Sequence, residues 1–95
     1  MLTINDLLGI LEKIFKELRY KYVAEVRIDR IVEHKSKYTV LFIMDNSKIK
    51  MIIDKESGKI RVYSGITSLD LTIKRVFKRE YDRVMRRKSI GEEPV

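Results

Sequence analysis

The stretch from Tyr22 to Tyr63 constrains this chain more than any other, because apolar and polar residues alternate there in short runs separated by polar turns. A period of two places successive side chains on opposite faces of a strand. In the first run, Tyr22 to about Glu33, Tyr22, Ala24, Val26 and Ile28 point one way and Glu25, Arg27 and Asp29 the other. The phase slips near Arg30, which predicts a β-bulge at Asp29-Arg30. His34 to Lys37 reads as a turn. Tyr38 to Met44 is apolar at nearly every position, the pattern of a central strand covered on both faces. Asp45 to Lys48 is expected to form the second turn. Ile49, Met51 and Ile53 then line one face of a third strand, with Lys50, Ile52 and Asp54 on the other. Asp54 to Lys59 is the third turn, with Gly58 supplying the positive φ that hairpin loops demand. Ile60 to Tyr63 makes a short last strand, polar enough on one face to suit a sheet edge.

Helices are predicted on both sides of these strands. From Ile4 to about Arg19 the apolar residues Ile4, Leu7, Leu8, Leu11, Ile14, Phe15 and Leu18 recur at spacings of three and four. Thr3 is placed to cap that helix, with Asp6 in the capping-box position. A second helix is capped by Thr67 or Ser68, with Asp70 in the corresponding position, and presents Leu69, Ile73, Val76, Phe77, Tyr81 and Val84 to the core. The expected fold class is therefore α+β, in the order α-β-β-β-β-α. An antiparallel meander sheet packs with two amphipathic helices, because every strand connection is too short for a crossover. Residues 1–88 form one domain, and residues 89–95, with a stop signal at Gly91, are expected to fray. If both helices share one face of the sheet, Leu41, Ile43 and Ile52 are left exposed on the other, which favours a homodimer.

The layout resembles a PepSY-type domain, which opens with a helix, continues as a strand meander and carries an acidic turn ending in glycine. Here that turn is Ile53-Asp54-Lys55-Glu56-Ser57-Gly58-Lys59-Ile60, and the resemblance covers about Leu2 to Tyr63. It implies a module that acts through protein contacts rather than catalysis.

The charge is uneven. Residues 74–88 hold eight of the 21 Lys and Arg but only two of the 14 Asp and Glu, so nearly all of the net +7 lies in the second helix. At 100° per residue Lys74, Arg75, Lys78, Arg79, Arg83, Arg86 and Arg87 sweep the side opposite its core face, a stripe roughly 22 Å long. Arginines suit bidentate contact with phosphate. Contact with DNA or RNA backbone is the expected function, set against a solvated face whose cations complement the helix C-terminus. Base-specific reading is not expected. The stripe has no Asn or Gln, and Tyr20, Tyr22, Tyr38 and Tyr63 read as residues at the edge of the core.

Other chemistry is less well supported. Cysteine is absent, which removes thiol nucleophiles, disulfides and thiolate metal sites. The single histidine, His34, lies in a Lys-rich turn, and no strained serine motif or glycine-rich phosphate loop occurs. A Mg²⁺-dependent nuclease using Asp29, Glu33, Asp45 and Asp54 is the enzymatic alternative. However, Asp45 and Asp54 should flank opposite ends of one strand, over 10 Å apart at about 3.3 Å per residue. No catalytic residue, metal or cofactor is therefore assigned. No apolar run reaches the roughly 18 residues of a membrane span. The N-terminus lacks the features of a signal peptide, so a cytoplasmic location without membrane contact is expected. Gln and Trp are also absent and Asn occurs only as Asn5 and Asn46, a composition like that of thermophile proteins.

Overall fold

The computed structural model describes residues 1–89. Helix α1 (Ile4–Tyr22) precedes strands β1 (Val26–Glu33), β2 (Lys37–Met44), β3 (Ser47–Asp54) and β4 (Ile60–Tyr63), and helix α2 (Thr67–Ser89) follows. The strands form one antiparallel sheet in the order β1-β2-β3-β4, the expected meander. Ser89 belongs to α2 rather than to a tail; the remainder of the expected frayed segment, residues 90–95 with Gly91, lies outside the described residues.

Helix α1 begins with the expected capping box. The Asp6 backbone N–H donates to Thr3 Oγ1 and the Thr3 N–H to Asp6 Oδ2, both at 3.1 Å. The helix runs a turn beyond Arg19, so Tyr22 is helical and not part of the first strand. No glycine or proline stops it earlier, and Val23 ends it in the left-handed conformation at φ 52°. Its buried side is Leu7, Ile10, Leu11, Ile14, Phe15 and Leu18. Ile4 and Leu8, placed in the stripe by spacing, are exposed, and Ile10 is buried instead.

Residues directly opposite in an antiparallel ladder share a face. The face holding Val26, Val40, Phe42, Ile49, Met51 and Val62 is buried under both helices. Phe15 and Phe42 pack there with ring centroids 5.0 Å apart. Helix α1 lies toward β1 and α2 toward β4, and the two pack against each other. They run antiparallel: Lys88 of α2 bonds Asp6 and the Met1 carbonyl at one end, while Lys21 and Tyr22 reach Thr72 at the other. Two helices about 10 Å across fill one face of four strands spaced about 4.8 Å apart. The other face is consequently open, and β2 is covered on one side only, contrary to the reading of its continuous apolar run. Leu41 and Ile43 are half-buried.

The expected bulge falls between Ile28 and Arg30. The second turn is tighter than anticipated. Only Asp45 and Asn46 lie outside the strands, Met44 pairs with Ser47, and Asp45 takes φ 54°. Gly58 has φ 72°, and a Cβ there would come within 2.3 Å of the Tyr81 ring. Its lack of a side chain lets α2 close over the β3–β4 turn.

Candidate functional site

Two surfaces carry the residues singled out from sequence. The first is the outer side of α2. Lys74, Arg75, Lys78, Arg79, Arg83, Arg86 and Arg87 are all exposed, as the periodicity requires. They do not form one uniform stripe. Arg75, Arg79 and Arg83, spaced by four, face α1 and meet acids. Arg75 Nη2 is 3.9 Å from Glu17 Oε1, and Arg79 Nη2 is 3.9 Å from Glu17 Oε2. Glu80 lies 95% buried between the other two contacts, 3.0 Å from Arg79 Nε and 3.4 Å from Arg83 Nη1. A long apolar face with one embedded carboxylate gave no sign of this from periodicity alone. The i−1 and i+3 arginines around Glu80 were the available signal.

Lys13 and Lys16 of α1 join Arg79 and Arg83 around a shallow cleft between the helices, an addition the linear charge count missed. Lys74 and Lys78 look the other way, onto a cleft at the β3–β4 turn beside Tyr81 and Asp82. Among the described residues, no ion pair reaches Lys74 or Lys78. The Asp70 carboxylate, expected to complete a box with Thr67, instead accepts from the Ser64 N–H at 3.0 Å and from its hydroxyl at 2.5 Å. It fixes the entry of the chain into α2, because Thr67 is already the first helical residue.

The second surface is the open sheet face. Register puts Leu41, Ile43 and Ile52 on it, where they were expected, with Thr39 and Val32 beside them; all are half-buried. Strand alternation also brings Arg27, Arg30, Lys37, Lys48, Lys50 and Arg61 to the same face, every one exposed. Tyr63, read from sequence as a core-edge residue, stands there too and is 51% exposed. Of the other tyrosines so read, Tyr38 is core, Tyr20 is almost fully exposed, and Tyr22 is exposed at the end of α1. The signal for the basic sheet face was present in the alternation of Lys48, Lys50 and Arg61 with core residues. It was diluted in the linear charge count by acids interspersed over the same stretch, Glu25, Asp29, Glu33, Asp45, Asp54 and Glu56.

The acids weighed for a metal site are dispersed. Glu33 accepts from Lys55 Nζ at 2.7 Å, and Lys55 lies over the Tyr38 ring, 4.8 Å from its centroid. Asp45 Oδ1 accepts from the Glu25 N–H at 3.1 Å. Asp54 Oδ1 accepts from the Ser57 N–H at 2.8 Å, the Ser57 hydroxyl and the Glu56 N–H, which holds its carboxyl below the ordinary value. Asp45 and Asp54 stand at opposite ends of β3. Among the described residues no three His, Cys, Asp or Glu side chains gather as metal ligands would. His34 is exposed, with Nε2 3.3 Å from Thr39 Oγ1. No described helix is long and apolar enough to cross a membrane. Compared with protein-family models, curated proteins and solved structures, the chain matches none.

Proposed function

We propose that this protein is a small, non-catalytic, cytoplasmic binding module that contacts nucleic-acid backbone through the outer side of α2. The observation that carries the reading is the persistence of exposed cations along that helix, Lys74 and Lys78 among them, after the acids of α1 and Glu80 have engaged Arg75, Arg79 and Arg83.

The test is fluorescence anisotropy of labelled duplex DNA and RNA from about 50 to 200 mM salt. Engagement of four phosphates gives a slope near −3.6 in log affinity against log salt, so affinity should fall on the order of 100-fold over that range. A triple variant, Lys74→Glu with Lys78→Glu and Arg86→Glu, spares the Glu80 contacts and should abolish duplex binding. Undiminished duplex binding by that variant would sink the reading.

A second reading, a protein-interaction or homodimerising module such as the PepSY likeness implies, is favoured by the half-exposed Leu41, Ile43 and Ile52 on a face that no described element covers. Against a second copy stands the charge around those residues, since self-association would bring like cations together.

A further inference from the structure

The open face of the sheet is ordered row by row. In one row Arg27 of β1, Ile43 of β2 and Lys48 of β3 lie side by side; in the next, Arg30, Leu41, Lys50 and Tyr63 do. The third row is Val32, Thr39, Ile52 and Arg61, where the cation moves outward to the edge strand β4. The result is an apolar strip along β2, about 13 Å from Ile43 to Thr39, with basic walls on both sides and rows about 6.6 Å apart. Among the described residues none of these cations is in an ion pair. Acids stand near the face as well: Asp54, opposite Lys37, is bonded within its own turn, Asp29 is exposed at the bulge beside Arg30, and Glu25 and Asp45 lie beside Arg27 and Ile43 at the far end.

We propose that this face binds single-stranded nucleic acid, with unpaired bases lying over the β2 strip and Tyr63 and the phosphates held by the flanking cations. Each nucleotide carries one flat ring and one phosphate, the same pairing of apolar and cationic groups that each row offers. A duplex hides its bases and would meet only the walls, leaving Leu41, Ile43 and Ile52 without a complement. A second copy of this chain would set Arg27, Arg30, Lys48 and Lys50 against their own equivalents. The inference is independent of the α2 reading, since α2 packs on the other side of the sheet.

The test uses the full chain and a labelled oligothymidylate of about 12 nucleotides, within the span a comparable small fold covers, beside a duplex of equal length. Three variants are compared, each checked for an unchanged circular dichroism spectrum and melting temperature. With Lys74→Glu and Lys78→Glu in place, the single strand should bind on the order of ten-fold more tightly than the duplex at equal salt. Lys50→Glu with Arg61→Glu should weaken single-strand binding at least ten-fold and flatten its salt slope. Tyr63→Ala should weaken it about five-fold with the slope unchanged. Lys74→Glu with Lys78→Glu should leave it within about two-fold, and this separates failure of one surface from failure of the other.

Three results would overturn the proposal. One is equal affinity for single strand and duplex in the Lys74→Glu with Lys78→Glu variant, or single-strand binding indifferent to the sheet variants. Another is displacement of the oligonucleotide by oligoglutamate at equal charge, which would make the ligand an acidic protein. The third is a dimer by light scattering that Lys50→Glu with Arg61→Glu dissolves or tightens, which would make the face a self-interface.

Discussion

Val23 is a β-branched residue, 89% exposed, held at φ 52° where α1 stops. The left-handed region costs a residue with a Cβ roughly 1–2 kcal/mol, and no side-chain hydrogen bond among those of the described residues offsets it. Glycine is the usual occupant of such a helix end. Val23→Gly should therefore raise stability by about 1 kcal/mol, or roughly 4–8 °C in Tm for a domain of this size. Thermal unfolding by circular dichroism checks it, and a lower Tm would mean that Val23 has a contact or role beyond ending the helix. Gly58, in contrast, was legible from sequence as a positive-φ turn residue. The approach of Tyr81 over it was not, because the two are brought together only by the packing of α2.

The two helices are joined at their ends, and one joint titrates. Burial raises the Asp6 carboxyl's pKa, but the Lys88 ammonium and the Thr3 backbone N–H and hydroxyl outweigh it, leaving the value below the ordinary 3.8. A carboxyl depressed in the folded state binds fewer protons folded than unfolded. Its stabilisation is thus complete above the ordinary value and fades as pH falls through the lower folded one. Lys88→Met, which keeps the stem and removes the charge, should shrink the loss of stability between about pH 5 and pH 2. Urea unfolding across that range measures it, and an unchanged pH profile would refute the coupling. Asp6 as a capping residue was plain in the sequence; its partner 82 residues away was not.

At the scale of the whole molecule, the open sheet face holds cations that no acid of the described residues pairs with, although Asp29 and Asp54 stand among them. With a net charge of +7, self-repulsion opposes the compact state. Surface ion pairs such as those of Glu17 contribute little to offset it. Raising salt from about 50 to 500 mM should consequently raise Tm by a few degrees, as screening shortens the reach of the repulsion from about 14 to 4 Å. A Tm that falls with salt would show that the Glu17, Glu80 and Asp6 pairs outweigh the open face.

The sequence by itself determined the order of elements, the meander, the bulge at Ile28 to Arg30 and which residues of β3 and α2 enter the core. Each of these rests on local periodicity, turn chemistry or short connections. It also placed Leu41, Ile43 and Ile52 on one sheet face and the seven α2 cations on one helix side. Only the tertiary structure decided that both helices cover the same face, because that depends on how two helix diameters match the width of four strands. That choice buried Glu80 beside Arg79 and Arg83, divided the helix stripe into two flanks, and left cations from four separate strands together on a single open surface. No window along the chain could have summed those charges, since residues far apart in sequence are neighbours there only through the register of the sheet.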